Sequence, residues 1–226
     1  MSALTIETVI FDLDGTLIDT EPAAARAIQN WFKKWKIDLK AEDAEHVTGR
    51  TWGMVFQYLF SKYEIPVSAE QASREVLEAY RETIETDLTI VPGSVEAVQA
   101  LARNYPLALV SGSYRAQIFW ALEKLGVRDL FKVVLGAEDY PRSKPAPDGY
   151  QLAMKHLSSD PSRVLIFEDS YAGITSGIAA GAWVVAITGT NHFGQNTSAA
   201  HHKIEDLRPV TAEWVRNLEK RLARQR

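Results

Sequence analysis

Short apolar runs with almost no polar residue inside them recur along the chain: Thr8-Val-Ile-Phe11, Leu107-Ala-Leu-Val110, Val133-Val-Leu135, Val164-Leu-Ile-Phe167 and Trp183-Val-Val-Ala-Ile187. A strand with one wet face alternates polar and apolar residues. Uninterrupted runs of this length suit strands covered on both faces, as in a parallel sheet between helices. The intervening segments have helical spacing. Tyr114 to Leu125 sets Ile118, Leu122 and Leu125 on one face and closes at Gly126, and Asp148 to Leu157 suits a second crossover. The alternation predicts an α/β fold built on a doubly wound parallel sheet.

The interval between the first two runs breaks this rhythm. Ala23 to Trp35 carries Ile28, Trp31, Phe32 and Trp35 at helical spacing, and Trp52 to Tyr63 and Glu70 to Glu85 read as further amphipathic helices. A helical block of this length is too long for a crossover connection. We therefore expect an inserted α-helical cap domain over residues 17–88, with 1–16 and 89–226 forming the α/β core. Trp31 and Trp35 are expected in the core of the inserted block.

One stretch imitates a membrane helix. Ser170 to His202 contains no Asp, Glu, Lys or Arg, and Gly173, Gly177 and Gly181 repeat every four residues. The alternative is a small-residue helix over about Ala172 to Gly181, packed tightly on a sheet, followed by the buried strand Trp183 to Ile187. The Gly, Asn, Gln and His content from Thr188 to His202 favours this second reading, with His201-His202 in a solvated loop.

Composition narrows the field of partners. The 226 residues hold 25 Lys+Arg against 29 Asp+Glu, a formal net charge of −4, with mean hydropathy −0.16 and a pI near 5.8. This balance offers no basic stripe for nucleic acid and no attraction to an anionic membrane surface. Cysteine is absent, which removes disulfides, zinc–thiolate sites, iron–sulfur clusters and any cysteine nucleophile. The N-terminal segment lacks a basic n-region and is interrupted by Glu7 and Asp12, so a cytoplasmic protein is expected, monomeric or weakly homo-oligomeric.

Candidate chemistry lies at strand ends. Asp12 and Asp14, in Phe11-Asp-Leu-Asp-Gly-Thr16, follow the first strand. Residues i and i+2 of extended chain point the same way, so both carboxylates reach the carboxyl edge of the sheet, where open α/β sheets place ligands. An Asp-x-Asp-Gly loop alone also occurs in calcium sites. Three further positions share the edge: Ser111-Gly112-Ser113 after the second strand, Lys144 in Ser143-Lys-Pro-Ala-Pro147, and Glu168-Asp169-Ser170 after the fourth. Taken singly, each has a structural reading as a helix cap or a solvated charge. Taken together, four carboxylates and one lysine call for a hard divalent cation, and oxygen ligands beside a phosphate favour Mg²⁺. Hydroxyl, ammonium and amide donors suit a phosphoryl group, which a carboxylate nucleophile accepts while a second carboxyl group moves protons.

The ordered set DLDGT, SGS, the lysine of SKPAPD, and EDS resembles the haloacid dehalogenase superfamily of phosphatases, in particular the branch with a helical cap inserted after the first motif. That resemblance implies Asp12 as nucleophile, Asp14 as general acid/base, and Ser111, Gly112 and Lys144 around the transferring phosphoryl group. It also implies Asp12, the carbonyl of Asp14 and Asp169 as Mg²⁺ ligands, with Glu168 acting directly or through water. Thr48-Gly49-Arg50 looks like the substrate-specificity loop of the same branch. Dehalogenases and phosphonoacetaldehyde hydrolases resembling this fold lack the second aspartate, so Asp14 argues against both, although cap lysines such as Lys33, Lys34 and Lys62 are present. Ala24 stands where β-phosphoglucomutase relatives carry a cap histidine, which weakens a mutase reading. The run Ile18-Asp-Thr-Glu-Pro22 is more similar to the sugar-phosphate phosphatases, and Glu168 stands where many phosphoglycolate phosphatases have Gly. The implied activity is hydrolysis of a small phosphorylated metabolite, a sugar or polyol phosphate. The alternatives are a phosphoglycolate phosphatase, a sugar phosphomutase, or a regulatory module that binds a phosphometabolite without efficient turnover.

Overall fold

In the computed structural model, which describes residues 5–47, 52–86, 88–192 and 194–223, Thr8–Phe11 forms β1 in the interior of a six-stranded sheet. In chain order follow β2 (Ile18–Asp19), α1 (Glu21–Lys34), α2 (Ala41–Val47), α3 (Trp52–Lys62), α4 (Ala69–Thr86) and β3 (Thr89–Ile90). Next come α5 (Ser94–Ala102), β4 (Leu107–Val110), α6 (Arg115–Lys124), β5 (Phe131–Leu135), α7 (Asp148–Leu157) and β6 (Val164–Glu168). The chain ends in α8 (Tyr171–Ala179), β7 (Trp183–Ile187), β8 (His202–Ile204) and α9 (Ala212–Leu222).

The large sheet has the order β5-β4-β1-β6-β7-β8 and every pairing in it is parallel. Every residue of β1, β4, β6 and β7 is buried, as apolar runs without alternation require. The edge strands β5 and β8 are partly exposed. Phe11 pairs in register with Leu109 on one side and Phe167 on the other, so three strands finish level with one another. The Phe11 and Phe167 rings stack at 5.0 Å, and Phe131 meets Phe11 edge-on at 6.2 Å. Strand order runs outward from β1 in both directions. The carboxyl ends of β1, β4 and β6 therefore border the reversal of strand order at which doubly wound sheets bind ligands.

The Gly-rich segment is a helix followed by a strand, and no helix among the described residues is long and apolar enough to cross a membrane. Close approach explains its glycines. A methyl at Gly177 would lie 2.8 Å from Val184 Cγ2, and one at Gly173 would lie 1.6 Å from Glu168 Oε1. The segment after β7 differs from the sequence expectation. His202 opens β8, and His201 Nδ1 accepts the Val184 amide at 3.0 Å, so the histidine pair belongs to the sheet edge and not to a solvated loop. One histidine side chain accepting a backbone amide, beside a strand of only three residues, hid this edge from the sequence.

The chain divides into two compact units, one formed by residues up to Ile18 and from Ile90 onward, the other by Asp19–Thr89. The second is all helical between its linking strands, and its core gathers Ile28, Trp31, Phe32, Val55, Leu59 and Val76, with Trp35 packed against it. Trp31 Nε1 donates to Glu75 Oε2 at 2.8 Å, which gives this buried indole its polar partner. Asp43 on α2 is fully buried and accepts from Tyr58 Oη at 2.6 Å, from Lys62 Nζ and from Tyr63 Oη, so α2 is tied to α3 and the turn beyond it. These three donors hold the Asp43 carboxyl well below its usual range, Lys62 contributing most.

Candidate active site

The β1 strand delivers Asp12 directly: its amide continues the ladder by donating to Phe167 O at 3.0 Å. The chain then turns within Leu13 to Ile18. Thr16, Leu17 and Ile18 amides all donate to Leu13 O, Gly15 N donates to Ile18 O at 2.6 Å, and Gly15 takes φ +81°. Glycine is required here twice over, by its backbone conformation and because a Cβ would stand 2.2 Å from Asp169 Oδ2.

Lys144 arrives from the loop after β5 and is the hub of the site. Its Nζ donates to Asp12 Oδ1, to Glu168 Oε1 at 2.7 Å and to the Val110 carbonyl at 3.1 Å. Beneath it lies the ring of Tyr150, with the ammonium 5.0 Å from the ring centroid. Tyr150 is fully buried and its hydroxyl donates to Glu168 Oε1 at 3.1 Å. Glu168 Oε2 accepts the Asp169 amide at 2.9 Å, the Ser170 amide at 2.9 Å and Ser170 Oγ at 3.0 Å. Five protein donors thus converge on the Glu168 carboxylate. These bonds tie Lys144 to the loop that carries Asp169.

Asp14 has different company. Ser113 Oγ donates to Asp14 Oδ2 at 2.8 Å and Ser111 Oγ donates to it at 3.3 Å, while Ser113 N donates to Ser111 Oγ at 3.0 Å. Below this loop the buried Tyr140 hydroxyl donates to Ser111 O at 2.7 Å. Gly112 packs against nothing: a methyl there would find no atom within 4 Å. Two carboxylates two residues apart therefore sit in unlike surroundings, one against an ammonium and the other against hydroxyls.

The electrostatics follow from burial. Desolvation is the largest influence on Asp12 and pushes its carboxyl up to about 8, with Glu168 and Asp14 adding to the rise and Lys144 opposing it. Asp169 is likewise held well above its usual range, by burial first and then by Glu168 and Asp12. Burial works against the charge on Lys144, but Asp12 and Glu168 outweigh it and keep the ammonium well above its ordinary range. Asp12, Glu168 and Asp169 bring one ligand oxygen each to within 4.8 Å of one another. Ionising all three carboxylates against one ammonium would leave an excess of negative charge. The donor set is all oxygen, which fits a hard divalent cation. Any of the three carboxylates could contribute to holding such an ion, and Thr16 Oγ1 donates to Asp169 Oδ1 at 3.4 Å.

The core positions singled out in the sequence, Asp12, Asp14, Ser111, Gly112, Lys144, Glu168 and Asp169, thus lie at or directly after the carboxyl ends of β1, β4 and β6 or in the loop after β5. Thr48, Gly49 and Arg50 lie outside the described residues. Sequence reasoning missed Tyr140 and Tyr150 as site residues. Their hydroxyls face partners distant in sequence, and the only local hint was a buried-type aromatic in the first turn of the helix that follows Lys144.

The model of the haloacid dehalogenase-like hydrolase family matches residues 9–187. Hexitol phosphatase A of Escherichia coli (strain K12) is 33% identical over 181 residues, which are 79% of this chain and 81% of that protein. The bifunctional riboflavin kinase/FMN phosphatase of Arabidopsis thaliana is 26% identical over 220 residues, 92% of this chain, and the chain spans 58% of its length. Among solved structures, a conserved haloacid dehalogenase-like protein of unknown function from Agrobacterium tumefaciens superposes with a TM-score of 0.77 at 27% identity, covering 94% of this chain and 99% of that one.

Proposed function

The chain belongs to the haloacid dehalogenase-like hydrolase family, and on that premise we propose that it is a Mg²⁺-dependent phosphatase of small phosphorylated metabolites. The preferred class is sugar or polyol phosphates, acting in the cytoplasm. The observation that carries the reading is the division of labour between two neighbouring carboxylates: Asp12 Oδ1 against Lys144, Asp14 Oδ2 against Ser113 and Ser111. The likeness to a hexitol phosphatase supports the substrate class.

In this reading an Asp12 carboxylate oxygen attacks phosphorus and the bond from phosphorus to the ester oxygen breaks, leaving an aspartyl phosphate. Asp14, protonated, gives its proton to the departing alkoxide. As a carboxylate it then takes a proton from the water that attacks phosphorus and frees Asp12. Lys144 neutralises charge on the phosphoryl oxygens and fixes the rotamer of Asp12, helped by Glu168 and the Tyr150 ring. Ser111 and the Gly112 amide are assigned to the remaining phosphoryl oxygens. Asp12, the Asp14 carbonyl and Asp169 would hold Mg²⁺, with Glu168 behind them. The ion supplies positive charge that lets Asp12 act as an anion and screens it from the incoming phosphate. The helical unit is assigned the role of a cap that selects the alcohol and excludes water.

The test is hydrolysis of p-nitrophenyl phosphate and of a panel of hexitol, hexose and glycolate phosphates, with Mg²⁺ and with a chelator. Phosphate release that requires Mg²⁺ and is fastest on the polyol or sugar esters is expected. Isomerised glucose 1-phosphate without phosphate release would identify a mutase. Binding without turnover on any ester would identify a regulatory module.

A further inference from the structure

The loop after β7 makes contacts that phosphoryl chemistry alone does not explain. At its root, Thr188 N donates to Ile204 O at 2.9 Å and Gly189 N to Glu205 O at 2.8 Å. Gly189 is pressed so close to β8 and its continuation that a methyl would stand 2.6 Å from Glu205 O. At its tip, Thr190 Oγ1 donates to Gly15 O at 2.6 Å, across 175 positions of sequence. The far arm is stapled by Asn191, whose Nδ2 donates to Gln195 O at 2.8 Å and whose Oδ1 accepts from Gln195 N at 2.7 Å. Gln195 Oε1 in turn accepts the Tyr171 amide at 3.0 Å, at the start of α8.

Each end of this loop holds one wall of the carboxylate cluster. Gly15 belongs to the turn that carries Asp12 and Asp14, and Tyr171 follows Asp169 and Ser170 directly. The turn satisfies its own amides internally, which leaves the Gly15 carbonyl to Thr190. On its opposite side Gly15 presses against the Asp169 carboxylate at a separation that admits no side chain. A shift of the turn by a few tenths of an ångström therefore changes the space between Asp12 and Asp169.

We propose that residues 188–192 and 194–195 act as a strap, with Thr190 and Gln195 as positioning residues that set the spacing of the divalent-cation pocket. This rests on the cation dependence proposed above. Groups that orient metal ligands without touching the metal typically change affinity about 10–100-fold when removed. Thr190→Val deletes the hydroxyl at nearly constant volume, while Thr190→Ser keeps it.

The experiment is calorimetric titration of the metal-free protein with Mg²⁺, for wild type, Thr190→Val, Thr190→Ser and Gln195→Leu. Amide exchange of the segment 12–18 is measured in the same samples. About tenfold or greater weakening of Mg²⁺ binding is expected for Thr190→Val, little change for Thr190→Ser, and faster exchange in 12–18 for Thr190→Val only. Turnover of p-nitrophenyl phosphate by Thr190→Val should recover at saturating Mg²⁺, which a general loss of structure would not allow. Gln195→Leu acts on the other wall and decides the question where Thr190→Val does not fold. Unchanged Mg²⁺ affinity in both Thr190→Val and Gln195→Leu overturns the strap. A wild type that binds no Mg²⁺ overturns the cation dependence instead, and unchanged 12–18 exchange in Thr190→Val then overturns the strap on its own.

Discussion

Replacing Gly173 by Ala reverses the usual effect of that substitution. In an ordinary helix the change removes backbone freedom from the unfolded chain and stabilises by up to about 1 kcal/mol. Here the new methyl would stand 1.6 Å from Glu168 Oε1, 1.9 Å from Cδ and 2.3 Å from Oε2. That is about 2 Å short of ordinary carbon contact at ~3.5 Å. The carboxylate must retreat, and its five donors, Lys144, Tyr150, the Asp169 amide and both groups of Ser170, sit on different elements and cannot all follow. Loss of two charge-assisted bonds costs about 3–6 kcal/mol, so the net destabilisation is about 2–5 kcal/mol once the glycine term is returned. For a chain of this size that lowers the midpoint of thermal unfolding by about 4–20 °C. Circular dichroism melts measure it, with phosphatase activity at low temperature as a second readout, since a displaced Glu168 removes one of the partners that hold Lys144 beside Asp12. Gly177→Ala is the contrast, because its methyl meets the rotatable Val184 at 2.8 Å. A Gly173→Ala protein as stable as wild type would refute the idea that Glu168 is locked by its five donors.

Asp14→Asn should bind substrate and Mg²⁺ normally but lose about 10²–10⁴-fold in kcat, the usual contribution of a general acid/base; normal turnover would refute that role. Tyr150→Phe removes one donor from a buried carboxylate, with an expected loss of about 1–3 kcal/mol in urea unfolding; an unchanged midpoint would show that Lys144 and Ser170 suffice. His201 is held below its ordinary range by burial, and its Nδ1 is occupied by the Val184 amide. The unfolded chain therefore takes up protons first, and stability is lost as pH falls from about 6.5 toward the lower folded value. His201→Asn, melted in parallel between pH 7.5 and 5, should lose part of that slope, and an identical slope would exclude His201 as its source.

The central strands were legible because burial on both faces writes itself into sequence as uninterrupted apolar runs. The gathering of the singled-out residues at one sheet edge was legible because parallel topology brings together the residues that follow those runs. β8 was not, since a three-residue edge strand needs little apolar character and its histidine neighbour is recruited by one backbone amide. α5 and α9 were not singled out either: α5 falls just past the long helical interval that breaks the rhythm, and α9 lies beyond the last run. Within the site, charged residues stood out, whereas Tyr140, Tyr150 and Thr190 did not. Each acts through one hydroxyl on a partner brought close only by the fold: Ser111 O, Glu168 Oε1 and Gly15 O. The five donors on Glu168 were not legible either, since they come from residues scattered along the chain, nor was the packing of a glycine of α8 against the carboxylate.

The central claim is that Asp12 carries the phosphoryl group. Acid-quenching the enzyme during turnover of a good phosphomonoester, followed by peptide mass spectrometry, tests it most directly. The account predicts phosphate on the peptide containing Asp12, lost in Asp12→Asn together with turnover. Turnover with phosphate trapped on Ser111 or Ser113, or an Asp12→Asn enzyme retaining more than about a hundredth of the wild-type rate, would contradict it.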